Sequence, residues 1–124
     1  MLLSLLRNGF SIDILIGLCA SAFVVFCTMP IHEYAHALVA TKLGDDTPRL
    51  SGRLTLNPLA HIDIMGAVMI LLVGFGYAKA VPVNPRNFKN SKAGMALTAA
   101  AGPASNLIMS VIFILLSNIS FVIY

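Results

Sequence analysis

Residues 12–43 read IDILIGLCASAFVVFCTMPIHEYAHALVATKL, and this stretch decides the fold. From Ile12 to Met29 it carries one charge, Asp13, at its very start. Such an apolar run suits a helix that crosses a hydrocarbon layer, which takes about 20 residues. The same helix then delivers His32, Glu33 and His36, as HEYAH. A spacing of four places two imidazoles one above the other on one helical face, where both can reach a single ion. Glu33 lies about 60° around the helix from His36 at 3.6 residues per turn. Zinc chemistry uses this arrangement. Two neutral histidines hold the metal, coordination lowers the pKa of a water, and the carboxylate takes its proton. On a soluble helix the same motif arises by chance among surface residues. Here no solvated face is evident before Ala40, and ionisable groups at membrane depth are costly and mark functional sites.

Composition supports that setting. The chain has 124 residues, of which 58% are hydrophobic and only 10% charged, which is not the make-up of a soluble globular domain. We read residues 1–124 as one membrane-embedded domain. Its net charge of +3 comes from basic residues clustered in loops, a pattern of membrane orientation and not of nucleic-acid binding. There is no basic patch with interleaved aromatics, no glycine-rich phosphate loop and no nucleophile elbow. Arg7 follows the first apolar residues instead of preceding them, against the order of a cleaved signal peptide. Cys19 and Cys27 stand about 12 Å apart along one helix, too far for a disulfide, and read as small packing residues.

Along the chain, Pro30 removes a backbone hydrogen bond and crowds the Phe26 carbonyl, which predicts a kink two residues before His32. Gly44 is placed to cap the helix, and Asp45-Asp46-Thr47-Pro48 reads as a turn. Residues 49–61, RLSGRLTLNPLAH, alternate weakly and are broken by Gly52 and Asn57-Pro58, so a short β element is expected there. Residues 62–78 are apolar apart from Asp63, but with 17 residues they sit at the lower limit for a span, as a helix or a re-entrant segment. A Pro/Asn-rich loop over 79–92 follows. Residues 91–117 form a second long apolar helix with Ser91 as N-cap, a kink at Pro103, and a small or polar face made by Gly94, Thr98, Gly102 and Asn106 for packing against a neighbour. After Ser117-Asn118 a fresh apolar run begins, and by composition the chain reads as cut at the start of another hydrophobic segment. If residues 62–78 re-enter, seven of the eight basic residues lie on one side of the membrane, which is then cytoplasmic.

A catalytic zinc usually takes three protein ligands. His61 and Asp63 are the internal candidates for the third, or for lining the site; the alternative is that they cap the start of the apolar segment. Asp13 is roughly 28 Å from His32 along a continuous helix and is excluded. Asn106 suits a substrate or oxyanion contact, or equally an interhelical contact.

HEYAHA, GRLTLNPLAHID, AKAVPVNPRNF and AGPASN, in this order over most of residues 29–107, resemble the site-2 proteases, intramembrane zinc metalloproteases, and most of all their small prokaryotic branch. The resemblance implies Zn2+ held by His32 and His36, Glu33 as general base, and the AGPASN helix packed beside the motif helix with Asn106 near the site. It also implies a partly re-entrant segment on the cytoplasmic side, and as substrates the transmembrane or membrane-adjacent segments of other proteins. The family's third ligand is an aspartate in an Asp-Gly motif on a later helix, and this chain carries no such motif.

The expectation is therefore an all-α integral membrane protein with a small β element. It would be a zinc endopeptidase of the cell membrane whose partners are the lipid bilayer and a membrane-protein substrate, held by strand addition near residues 49–56. The rival readings are a membrane metal-binding or transport protein without hydrolysis, and an inactive, truncated relative.

Overall fold

The computed structural model describes residues 2–123, and these are helical wherever they are regular, with no strand among them. The helices are α1 (Leu2–Asn8), α2 (Ile12–Phe23), α3 (Met29–Lys42), α4 (Thr47–Leu50), α5 (Pro58–His61), α6 (Ile64–Val73) and α7 (Ser91–Ile123). Two helical stretches, Ile12–Lys42 with 31 residues and Ser91–Ile123 with 33, are long and apolar enough to cross a membrane.

Ser11 opens α2 by accepting the Ile14 N–H on its hydroxyl at 3.3 Å. Between α2 and α3 the helix does not break. A π-helical turn over Val24–Thr28 joins them, in which the Met29 N–H reaches back to the Val24 carbonyl. The cause is Pro30. It has no N–H to give to Phe26, and its ring would press on that carbonyl, so a wider turn just ahead relieves both demands. The expected kink is realised as this π turn, four residues before His32 at its nearer end. At its other end α3 stops as Gly44 predicts, with φ +109°. The Asp45 N–H bonds to the Ala40 carbonyl at 2.9 Å and the Gly44 N–H to the Thr41 carbonyl at 3.2 Å, the paired bonds of a Schellman cap.

Residues 49–61 are not a β element. They form α4, a turn with Gly52 at φ +72°, and α5, which Asn57 caps by accepting the Leu59 N–H at 3.1 Å. The weak alternation had no partner strand to pair with, and Pro48 and Pro58 instead start short helices. Residues 62–78 leave and return. Asp63 caps α6 through the Gly66 N–H at 3.0 Å, and α6 ends after 10 residues at Gly74, φ +95°. About 15 Å of helix is half a hydrocarbon core. The chain then runs back extended, and the Lys79 N–H meets the His61 carbonyl at 3.0 Å. Gly66 and Gly76 make this hairpin close, because a Cβ on either would overlap the opposing backbone.

Asn90, one residue before the expected Ser91, caps α7 by accepting the Ala93 N–H at 3.1 Å, while the Ser91 hydroxyl donates to the Pro85 carbonyl at 2.9 Å. The helix then runs unbroken through Pro103 and past Ser117-Asn118 to Ile123. Helices α3 and α7 form the most extensively packed pair, with Ala37 and Ala40 fully buried. Beyond Leu107, α7 presents apolar side chains outward.

Asp45 ties the far loop to the end of α3. Its carboxylate is buried and accepts from the Thr47 N–H (3.0 Å) and hydroxyl (2.6 Å), the Asn84 N–H (2.8 Å) and the Asn87 amide (2.8 Å). Burial pushes its pKa up, but these donors outweigh burial and hold it below the ordinary 3.8. A lowered folded pKa means that its contribution to stability is complete above 3.8 and is lost as pH falls through the lower folded value. Asp45→Asn should therefore cost about 1–3 kcal/mol at neutral pH. In paired thermal melts the gap from the parent should close on acidification through that range.

Candidate metal centre

His32 and His36 lie one turn apart on α3, half-buried, and both face α7. Their Nε2 atoms are 3.1 Å apart. Two nitrogens bound to one tetrahedral zinc at about 2.0–2.1 Å stand roughly 3.3 Å apart, so the pair already has a chelating spacing. The ligand atoms of His32, Glu33 and His36 all lie within 4.8 Å of one another.

The tautomer of His36 is set by its other nitrogen. Its Nδ1 lies 2.6 Å from the Thr98 carbonyl on α7, which can only accept, so Nδ1 carries the proton and Nε2 keeps its lone pair. A backbone carbonyl orienting a histidine in this way is the usual outer support of a metal ligand. One turn further along α7 stands Gly102. A Cβ there would overlap the Nε2 atoms of both histidines. The missing side chain thus leaves a cradle on which the two Nε2 atoms converge, and a pair of imidazoles at this spacing suits Zn2+.

Thr98 and Gly102 of the small face pack against α3 as expected, whereas Gly94 packs against the Phe88 ring. Asn106 lies one turn past Gly102 on the same face, with a buried Oδ1 that has no partner among the described residues. The Thr98 hydroxyl is likewise buried and unpartnered.

Beside the histidines opens a cleft of about 270 Å³. Glu33 and His36 line it together with Ala78, Ala80, Val81 and Val83 of the returning stretch and Met95, Thr98 and Ala99 of α7. The motif AKAVPVNPRNF marked this stretch only through the resemblance; its place beside Glu33 depends on the hairpin at Gly74.

His61 and Asp63 do not join the His32–Glu33–His36 group. His61 is fully buried with both ring nitrogens engaged, Nε2 donating to the Thr55 carbonyl at 2.6 Å and Nδ1 accepting from Arg53 at 3.3 Å. Asp63 is the cap of α6. Arg53, given no role of its own in the sequence though it lies in the motif GRLTLNPLAHID, is only 5% exposed. Burial pulls its guanidinium below its ordinary value, and the negative charge of Glu33 pulls the other way. Cys19 and Cys27 are free and exposed.

Gly102→Ala should lower zinc affinity at least about tenfold, by analogy with the 10–100-fold cost of disturbing a metal's outer support. Metal titration followed by elemental analysis would measure it, and Ser117→Ala, exposed far along the same helix, should leave affinity unchanged.

No family model and no solved structure matches the chain. Two curated proteins do. "Putative zinc metalloprotease YwhC" of Bacillus subtilis is 53% identical over 82 residues, which cover 66% of this chain and 37% of that protein. "Putative zinc metalloprotease Rip2" of Mycolicibacterium smegmatis is 29% identical over 89 residues, covering 68% of this chain and 34% of that protein. The match thus spans little more than a third of either relative. The converging Nε2 pair and these similarities agree, and the chain is a relative of two proteins that carry the name zinc metalloprotease, consistent with the site-2 protease family that its motifs resemble.

Proposed function

We propose that the chain is the metal-bearing part of an intramembrane zinc endopeptidase of site-2 type, which hydrolyses peptide bonds in or near the transmembrane segments of other proteins. One observation carries the reading. The two Nε2 atoms converge on the cradle at Gly102, and Glu33 opens onto the adjoining cleft. His32 and His36 would hold Zn2+, which supplies Lewis acidity toward a carbonyl and toward water.

Glu33 takes the proton of the attacking water and returns it to the leaving amine. Thr98 keeps the His36 ring in its ligating tautomer through its carbonyl. Asn106, with an unpaired buried amide oxygen, has hydrogen-bonding capacity for the main chain of a bound peptide. A helical substrate must unwind first, since its carbonyls are otherwise bonded within the helix. Main-chain pairing then falls to the extended stretch at Ala78–Val83, in place of residues 49–56, which hold no strand. With residues 62–78 re-entering, the basic residues of the loops support a cleft on the cytoplasmic side, and the resemblance to the small prokaryotic branch supports a prokaryotic cell membrane.

Glu33→Gln tests the reading. In the full-length protein, cleavage of a single-span membrane substrate should fall by about 10²–10⁴-fold while zinc stays bound. A metal transporter would lose no proteolysis, because it would have shown none. Retained cleavage in this variant would remove Glu33 from the mechanism.

A further inference from the structure

Arg53 is a buried cation in a loop, and its nearest fixed partners are neutral. Nη1 donates to the Ala80 carbonyl at 3.0 Å, and Nη2 donates to the Lys79 carbonyl and to His61 Nδ1, the latter at 3.3 Å. His61 completes the tie. Its own carbonyl accepts the Lys79 N–H at 3.0 Å, and its Nε2 donates to Thr55 at 2.6 Å. One guanidinium therefore pins two successive carbonyls of the returning stretch. Ala80, with Val81 and Val83 just beyond, lines the cleft opposite Met95 and Thr98.

A planar fork can hold two adjacent carbonyls and a ring nitrogen at once, which a lysine ammonium on a flexible stem does less well and a neutral side chain cannot do. With the carbonyls of residues 79 and 80 turned to Arg53, the stretch presents its next residues to the cleft in one fixed register. We infer that Arg53 is a positioning residue that fastens the extended stretch 79–83 as the substrate-facing wall of the cleft. The substrate-facing part rests on the protease reading above; the fastening does not.

The experiment uses the full-length protein in detergent, as parent, Arg53→Met and Arg53→Lys. Hydrogen exchange is followed by mass spectrometry. Arg53→Met should speed exchange of the amides of residues 79–84 at least about tenfold, the loss of one charge-assisted tie, with α3 and α7 unchanged. Arg53→Lys should show a smaller rise confined to the same residues. Exchange in Arg53→Met within about twofold of the parent overturns the fastening. If that variant also loses protection in α3 and α7, Arg53→Lys decides, and parent-like exchange there overturns the proposal.

Steady-state cleavage of a single-span substrate supplies the second arm. Arg53→Lys should raise KM severalfold with kcat nearly kept, because the wall places substrate and does not touch the reacting atoms. An unchanged KM beside faster exchange overturns the substrate-facing role. Absence of cleavage by the parent overturns the protease reading and that role with it, while the exchange data still settle the fastening.

Discussion

Everything at the centre depends on the close crossing of α3 and α7 where α7 has no side chain. Gly102 lets the α7 backbone stand against the two imidazoles, and any Cβ would overlap both Nε2 atoms. The same proximity, one turn earlier, brings the Thr98 carbonyl to His36 Nδ1 at 2.6 Å. One contact thus makes the cradle and also selects the nitrogen that faces it. In lipid such contacts are driven by packing more than by apolar burial, so small residues at four-residue spacing determine how near two helices come.

The parts of this arrangement legible in the sequence are those with local causes. HEYAH on an apolar helix, the cap at Gly44 and the small face on α7 are each written in residues a few positions apart. Pro30 announced a distortion, but whether a helix bends or widens depends on how the next turn repacks, and the chain widened. The β reading of residues 49–61 failed because alternation is a weak signal when no second strand is available, and because Pro48 and Pro58 favour helix starts. The cap of α7 moved by one residue because Asn90 accepts a backbone N–H in the first turn, while the Ser91 hydroxyl is drawn to Pro85. The position of the cleft wall was illegible for another reason. It arises from hydrogen bonds across tens of residues, such as Arg53 to Ala80 and Asp45 to Asn84.

Those long ties share one purpose in the architecture. Asp45, at the end of α3, holds residues 84 and 87, and Arg53 with His61 holds residues 79 and 80. The extended stretch between α6 and α7 has no ladder of its own, so its backbone polar groups need partners elsewhere. Buried side chains supply them. A segment with no regular structure thereby gains a defined position beside Glu33 and His36.

The three histidines show how that position also decides chemistry. A histidine can ligate only through a nitrogen that keeps its lone pair and is not already bonded, and the second nitrogen's partner determines which one that is. His36 gives Nδ1–H to a carbonyl and turns Nε2 toward His32 and the cradle. His61 has the same side chain in a more deeply buried place, yet it donates through Nε2 and accepts through Nδ1, so neither nitrogen is free for a metal. Proximity in sequence to an apolar segment made His61 a candidate ligand. Its neighbours made it the link between Arg53 and the Thr55 carbonyl, whereas His36, its outer nitrogen held by the opposing helix, keeps Nε2 turned toward His32.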